Sequence, residues 1–461
     1  MKRLVQLALL VFMTVLAVKP AQASASVQSE SLLSDWELAI AFEPEWLAAI
    51  ASRDAAVEAY PLARAQLLPQ VGLSAQRSRN DTESSTQTIL GPQSRNFNNY
   101  PSINANIQVR QALVRPKSWA SLAQSAAQVD YAEKTLESSK HDLALKLIGV
   151  YTEWFAAVTG KEAIGDQIRI QKQLTDASIR QYKSGDATRV EVLINNSKTL
   201  QLQAQLAQID AEIRSIEAMR REITGSNSSK ALIRFSSQSV FQLFKTNNLS
   251  LNQLLQIAMD RNKAILAQKA AVEVAVREVQ KAKFDHYPTA DLYTTRSISK
   301  NAMDNTIGTE YRTTQIGIQL SFPIYSGGAV ESQVRKASAA LQANEQELLA
   351  IKARLRIQVT KDYHTLETSR EEVEALLETL RALTVALDST TKGVSAGISV
   401  YSDVLSLQNQ MASIKRNIAR STSNAINAWA RLMVSIDRLS RDEMALLDNL
   451  ASETFNEARG L

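Results

Sequence analysis

The chain has 461 residues, 45% hydrophobic and 21% charged, with 14 glycines, 9 prolines and no cysteine. That composition excludes a disordered chain, a disulfide-stapled scaffold and a lipid-modified N-terminal cysteine. The formal charge of +5 overstates the basic character, because Lys2, Arg3 and Lys19 fall in a segment expected to be removed; the remainder is close to neutral and offers nothing to nucleic acid.

The first stretch reads as a signal peptide over residues 1–23. Lys2 and Arg3 form a basic start, Leu4 to Val18 is an apolar run too short for a comfortable spanning helix, and Ala21-Gln22-Ala23 is a small-x-small cleavage site. The rival reading is a retained anchor. No later apolar run reaches 18 residues, which leaves a closed β-barrel as the way into a membrane.

A short helix is expected from Ser31 to Phe42, broken at Glu43-Pro44, and a second from 44 to 68. Strands follow at 70–79 and 102–113. In the second, Ile103, Ala105, Ile107 and Val109 point one way and Asn104, Asn106, Gln108 and Arg110 the other. A hairpin packed on a soluble core would show the same alternation. The polar stretch 80–100 between the strands reads as an exposed loop.

A very long helix runs over 118–184, Gly185 breaks it, and a return helix covers 188–224. Residues 226–249, rich in Ser, Asn and Lys, read as a linker or small insertion. The plan then repeats: helix 250–287, strands 289–298 and 314–322, long helix 329–395, a break at Gly397, return helix 400–437 and a tail over 440–461. Residues 24–225 and 250–439 are thus two copies of one unit, matching at separations of 211 to 219. Ile107-Gln108-Val109 falls on Ile318-Gln319-Leu320, and Gly185 with Glu191 falls on Gly397 with Asp403.

A helix of some 65 residues is about 100 Å long, beyond any ordinary globular domain. Val359, Tyr363, Leu366, Val373, Leu377, Leu380 and Leu387 fall on heptad a/d positions, with Arg370 and Thr384 as interruptions. Leu407, Met411, Ile414 and Ile418 keep the same step on the return helix, so the two arms can pack as an antiparallel coiled coil. The opposite faces are polar and suit a water-filled lumen. The fold class expected is α+β: a membrane β-barrel continued by a helical tube. Four strands cannot close a barrel, so two, three or four copies are required.

Leu67-Leu68-Pro69-Gln70-Val71-Gly72 before the first strand and Gln319 to Gly328 after the fourth (including Phe322, Pro323, Tyr325, Gly327 and Gly328) resemble the TolC family of outer-membrane channel proteins. The paired breaks, Tyr182-Lys183-Ser184-Gly185 with Glu191 and Val394-Ser395-Ala396-Gly397 with Asp403, add to the likeness, which covers about Ser31 to Leu439. The resemblance implies a homotrimer with a twelve-stranded barrel in the outer-membrane lipid of a Gram-negative bacterium and a helical tunnel across the periplasm. A periplasmic adaptor and an inner-membrane transporter complete the duct, ABC type favoured and RND type the alternative.

By the same resemblance Tyr182, Gly185, Val394 and Gly397 lie at a tip where adaptors dock. Glu191 and Asp403 would form six carboxylates around a narrow opening, and such acidic rings favour cations. The plainer reading of each acid is a solvated charge helped by a helix dipole. The chain departs from the family where it carries Val394, Ser399 and Ser406 in place of the frequent tyrosine, arginine and second acid. In the first half Val114-Arg115-Pro116-Lys117 replaces the Gly-Gly turn, an ordinary divergence between repeats, with proline suited to a helix start.

No enzyme is expected. His141, His286 and His364 are far apart, and no HExxH, phosphate loop or GxSxG motif is present. No cofactor or metal is implied. Type I secretion of a large adhesin or RTX-type exoprotein is the favoured use, small-molecule efflux the alternative, and a non-channel periplasmic scaffold the remote one.

Overall fold

The computed structural model describes residues 31–89, 91–226, 234–246, 249–301, 309–396 and 398–457. The expected signal peptide lies outside them. In chain order the elements are α1 (Leu32–Phe42), α2 (Pro44–Val57), α3 (Ala59–Ala65), β1 (Gln70–Thr88), β2 (Gly91–Val114), α4 (Pro116–Ser184) and α5 (Arg189–Thr224). They continue with α6 (Ser237–Thr246), α7 (Leu251–Arg261), α8 (Lys263–Lys283), β3 (Thr289–Asn301), β4 (Thr309–Ser321), α9 (Ala329–Ser395), α10 (Tyr401–Ser435) and α11 (Arg441–Glu457).

The strands form one antiparallel sheet in the order β1-β2-β3-β4. Register places Val71 opposite Val109, Leu73 opposite Ile107 and Leu292 opposite Ile318, so these apolar side chains share one face. Gln70 and Arg110, Ser74 and Asn106, and Asp291 and Gln319 share the other. Val71, Leu73, Ile316, Ile318 and Leu320 are strongly exposed, and among the described residues the outer edges of β1 and β4 have no strand partner. An exposed apolar sheet face between two open edges is a surface that water does not favour.

Within the stretch 80–100, expected to be a loop, residues 80–88 and 91–100 are instead the upper parts of β1 and β2. It shows no period-two apolar signal because neither of its faces is covered by apolar neighbours. Cross-strand hydroxyl and amide pairs hold it, among them Ser78 with Ser102 and Thr82 with Tyr100. The expected helix 44–68 divides at Glu58, and the expected helix 250–287 divides at Asn262.

Both repeats break their early helices alike. Glu43 accepts a hydrogen bond from the Trp46 amide and Asn262 from the Ile265 amide, each capping the next helix. Residues 226–249, expected to be a linker or small insertion, include α6, and the tail includes α11.

At 69 and 67 residues, α4 and α9 are each about 100 Å long. Helix α5 packs back along α4, α10 back along α9, and α4 against α10, while α8 lies against both α4 and α9. Of the heptad residues, Val359, Leu366 and Val373 are fully buried, with Tyr363 and Leu377 packed beside them.

The main core lies midway along the long helices α4 and α9 and against the last turns of α5 and α10. It joins Trp36 of α1, Tyr151 and Trp154 of α4, Ile223 of α5, Leu254 of α7, Trp429 of α10 and Leu447 of α11. Within it Arg220 donates to both carboxylate oxygens of Asp35 at 2.6 and 3.0 Å, and the Tyr151 hydroxyl donates to Asp35 at 2.8 Å. Among the described residues no helix is long and apolar enough to cross a membrane.

Candidate functional site

The site with most chemical definition is the pair of turns at the far ends of the long helices. Helix α4 ends at Gly185, whose φ of 87° lies in the left-handed region that glycine enters without penalty. Beyond it the amides of Asp186 and Ala187 both donate to the Gln181 carbonyl. In the second repeat the amides of Ile398 and Ser399 both donate to the Gly393 carbonyl. Subtracting, 393 − 181, 398 − 186 and 399 − 187 each give 212, so the two turns repeat one hydrogen-bond pattern at one offset. Gly397 lies outside the described residues.

Glu191 and Asp403 occupy the same place in their helices. Arg189 and Tyr401 are the first residues of α5 and α10, which makes each acid the third. The Glu191 amide donates to the Thr188 hydroxyl at 3.3 Å, and the Asp403 amide to the Val400 carbonyl at 3.0 Å. Both carboxylates are exposed. Each therefore faces water while standing over the positive end of a helix dipole, where negative charge is stabilised.

Tyr182, Val190, Leu193, Ile194, Ile398 and Val400 are exposed around these turns. Val394 is half-buried in the last turn of α9. The second turn is tied to the first repeat by the Tyr401 hydroxyl, which donates to Gln173 of α4 at 3.4 Å. Sequence reasoning missed Gly393: a Cβ there would stand 2.6 Å from the Ser399 hydroxyl and 3.3 Å from its Cβ. A glycine inside an otherwise glycine-poor helix, six residues before a serine in a turn, was the available signal.

The strand-to-helix turn lies at the opposite end of α9. Gly327 and Gly328 have φ of 63° and 77°, and Ala329 donates back to Ser326 at 3.1 Å. Ile324 and Tyr325 are almost fully exposed, and Phe322 is exposed as well. Pro323, Tyr325, Gly327 and Gly328 are therefore separated from the tip residues by the whole length of α9.

At the corresponding junction of the first repeat a side-chain clamp replaces the glycines. Arg115 donates from Nε and Nη2 to the two oxygens of Asp291 at 2.8 and 2.9 Å, and Arg110 donates to the same carboxylate at 2.6 Å. Asp291 is buried. This fork-on-carboxylate geometry fixes the entry of α4 against β3, so Arg115 is a positioning residue where the sequence showed only divergence. Among the described residues no cluster of three or more His, Cys, Asp or Glu could hold a metal ion.

A family model described as outer membrane efflux protein matches residues 36–226 and 254–436. The chain is 24% identical to the alkaline protease secretion protein AprF of Pseudomonas aeruginosa over 417 residues, covering 90% of this chain and 86% of that one. It is 26% identical to the outer membrane protein TolC of Vibrio cholerae over 439 residues, covering 91% and 94%. The solved structure of VceC from Vibrio cholerae superposes with a TM-score of 0.69 at 16% identity, covering 88% of this chain and 95% of that one.

Proposed function

Because the chain belongs to the outer membrane efflux protein family, we propose that it is a passive outer-membrane exit duct, that three copies close its barrel, and that it serves type I secretion of a large exoprotein. It resides in the outer membrane of a Gram-negative bacterium and extends into the periplasm. The observation that carries the reading is the open four-stranded sheet. Among the described residues nothing covers its apolar face, with Val71, Leu73, Ile107, Ile316, Ile318 and Leu320, and no strand pairs with its β1 and β4 edges.

Copies joined β4 to β1 would satisfy both edges and turn the apolar face to lipid. Three copies give twelve strands. The polar face then lines the lumen, and the long helices carry it across the periplasm toward an adaptor and an inner-membrane transporter, an ABC type for secretion. Tyr182, Gly185, Val394 and Gly397 would meet the adaptor. Glu191 and Asp403 would ring the opening and favour cations. Energy comes from the transporter.

Secretion is preferred because AprF carries a protease-secretion name and its likeness spans nearly the whole of this chain. The likeness to TolC and the efflux description of the family keep small-molecule efflux as the second reading. A deletion strain compared with its parent separates them. Loss of one or two large proteins from the medium or cell surface supports secretion; an unchanged secreted set with raised dye and drug accumulation overturns it in favour of efflux.

A further inference from the structure

Strand register decides which face of the sheet each charged residue occupies. Leu73 pairs with Ile107, Ile107 with Arg296 and Arg296 with Thr314, so Arg296 stands on the apolar face. The next row of that face, away from the helices, is Ala75, Ala105, Ile298 and Arg312. The row after it is Arg77, Ile103, Lys300 and Glu310, and Arg79 follows opposite Pro101. Five cations and one carboxylate thus occupy the upper part of the apolar face. Acids return on β1 only at Asp81 and Glu83, at and above the register shift that follows Asn80.

The polar face is uncharged over the same rows. Ser74, Asn106, Ser297 and Thr313 share one of them, and Gln76 and Asn104 lie on the next. Charge therefore sits on the side that the apolar residues occupy, and only at its upper end. On a lipid-facing barrel surface a cation costs about 2–4 kcal/mol at the midplane and close to nothing at the headgroups.

All five cations are accessible. Arg77, Arg79 and Arg296 are exposed, and the Arg312 and Lys300 side chains are 66% and 52% exposed. Lys300 and Arg312 share Glu310, at 2.6 and 2.7 Å. Among the described residues no carboxylate pairs with Arg77, Arg79 or Arg296. The belt keeps an excess of positive charge.

Its height fits a headgroup layer. Arg312 precedes Phe322 by 322 − 312 = 10 residues, and Phe322 is exposed just past the end of β4. At about 3.4 Å per residue and a tilt of about 40°, that is roughly 26 Å of height. The apolar band of a membrane barrel is about 25 Å tall, with aromatic residues at its borders. Phe322 and Tyr325 then mark the periplasmic border, and Arg312, Lys300 and Arg77 the outer one. Arg296 lies about 5 Å lower, a gap that its long side chain spans by reaching up to the headgroups.

We propose, resting on the barrel reading above, that this belt binds the phosphate groups of the glycolipid in the outer leaflet of the membrane. Four of the five cations are arginines, whose planar forks match phosphate oxygens. The acyl chains of the same lipid would lie on Leu73, Ile107, Ile316 and Ile318 below. Joining β4 to the β1 of the next copy carries the belt around the barrel without a gap. Bound phosphates would fix the height of the barrel and seal the boundary between protein and lipid.

Purified full-length oligomer mixed with bisphosphorylated lipid A in detergent, with bound lipid counted by native mass spectrometry, tests the belt. The parent is expected to retain this lipid and to bind its dephosphorylated form about tenfold more weakly. Arg77→Gln with Arg79→Gln and Arg296→Gln should lose about the same factor. Arg77→Lys with Arg79→Lys and Arg296→Lys should keep part of the binding, because charge remains without the fork. Equal retention of both lipid forms by the parent overturns the phosphate site, and that comparison needs no variant to fold. A glutamine variant that assembles and binds the bisphosphorylated lipid as the parent does overturns it as well. A parent protein that forms no heat-modifiable outer-membrane oligomer overturns the barrel reading instead.

Discussion

Asp448 of the last helix accepts a hydrogen bond from the amide of Leu32, the first residue of α1, at 2.9 Å across 416 positions of sequence. The C-terminal helix thus caps the N-terminal one, and Arg441 pairs with Glu37 beside it at 2.6 Å. Burial pushes the Asp448 carboxyl above its ordinary value, more than the Leu32 amide and the Ser31 side chain pull it down. A carboxyl whose folded pKa is raised contributes stability that is fully present below the unfolded value and is lost as pH rises through the folded one. The latch is therefore tighter in acid than at neutral pH. Asp448→Asn keeps an acceptor oxygen and removes the ionisation. Limited proteolysis of the C-terminal helix should lose its pH dependence in this variant and be no faster than in the parent at pH 7. Faster cleavage with unchanged pH dependence would show that Asp448 does not set it.

The Asp35–Arg220 pair is a different case, because both groups are wholly buried. Removing one partner leaves an uncompensated charge in the core, which costs about 3–5 kcal/mol. Asp35→Ala should lower the unfolding free energy of the detergent-solubilised protein, read from denaturant titration, by that amount, and Asp35→Ala with Arg220→Met should recover much of it. Additive losses in the double variant would show that the two side chains are not coupled.

Gly185 tests the tip backbone alone. No atom lies within 4 Å of where its Cβ would stand, so Gly185→Ala suffers only the left-handed conformation, about 1 kcal/mol. Gly393→Ala meets Ser399 instead, so Gly393→Ala with Ser399→Gly should be milder than Gly393→Ala alone. Protease accessibility of the 181–190 and 393–402 segments, followed by mass spectrometry, distinguishes the two causes.

Glu191→Gln with Asp403→Asn should reduce the cation-to-anion permeability ratio in planar bilayers by about twofold or more, with less block by multivalent cations. A reversal potential equal to that of the parent would leave these acids as helix-start residues only.

The clamp on Asp291 should be as necessary to the first repeat as the paired glycines are to the second. Asp291→Ala leaves Arg110 and Arg115 without their shared carboxylate and should lower the temperature at which the oligomer dissociates; Arg115→Lys, which cannot reproduce the fork, should do so partially. An unchanged dissociation temperature for Asp291→Ala would remove the clamp from the account.

Local chemistry made much of this protein legible in its sequence. Alternation at Ile103, Ala105, Ile107 and Val109 assigned faces to a strand, the heptad at Val359, Leu366 and Val373 assigned a buried stripe to a helix, and Gly185, Gly327 and Gly328 marked places where the backbone must enter the left-handed region. These signals depend on near neighbours, so one chain displays them without its fold. The equivalence of Glu191 and Asp403 was legible too, because duplication preserves order.

What depended on distant partners was not. Residues 80–100 are polar on both faces, so nothing in their pattern separates a projecting hairpin from a loop; Ser78 must meet Ser102, and Thr82 must meet Tyr100, before it is a strand pair. Arg115 gained meaning only when Asp291, 176 positions away, came within 3 Å. Asp35, Tyr151 and Arg220 were ordinary helix residues until packing enclosed them together. Sequence carries the periods and turns because these are properties of adjacent residues; only tertiary structure decides which charges are buried as pairs, since burial and pairing are set by segments that the chain brings together from far apart.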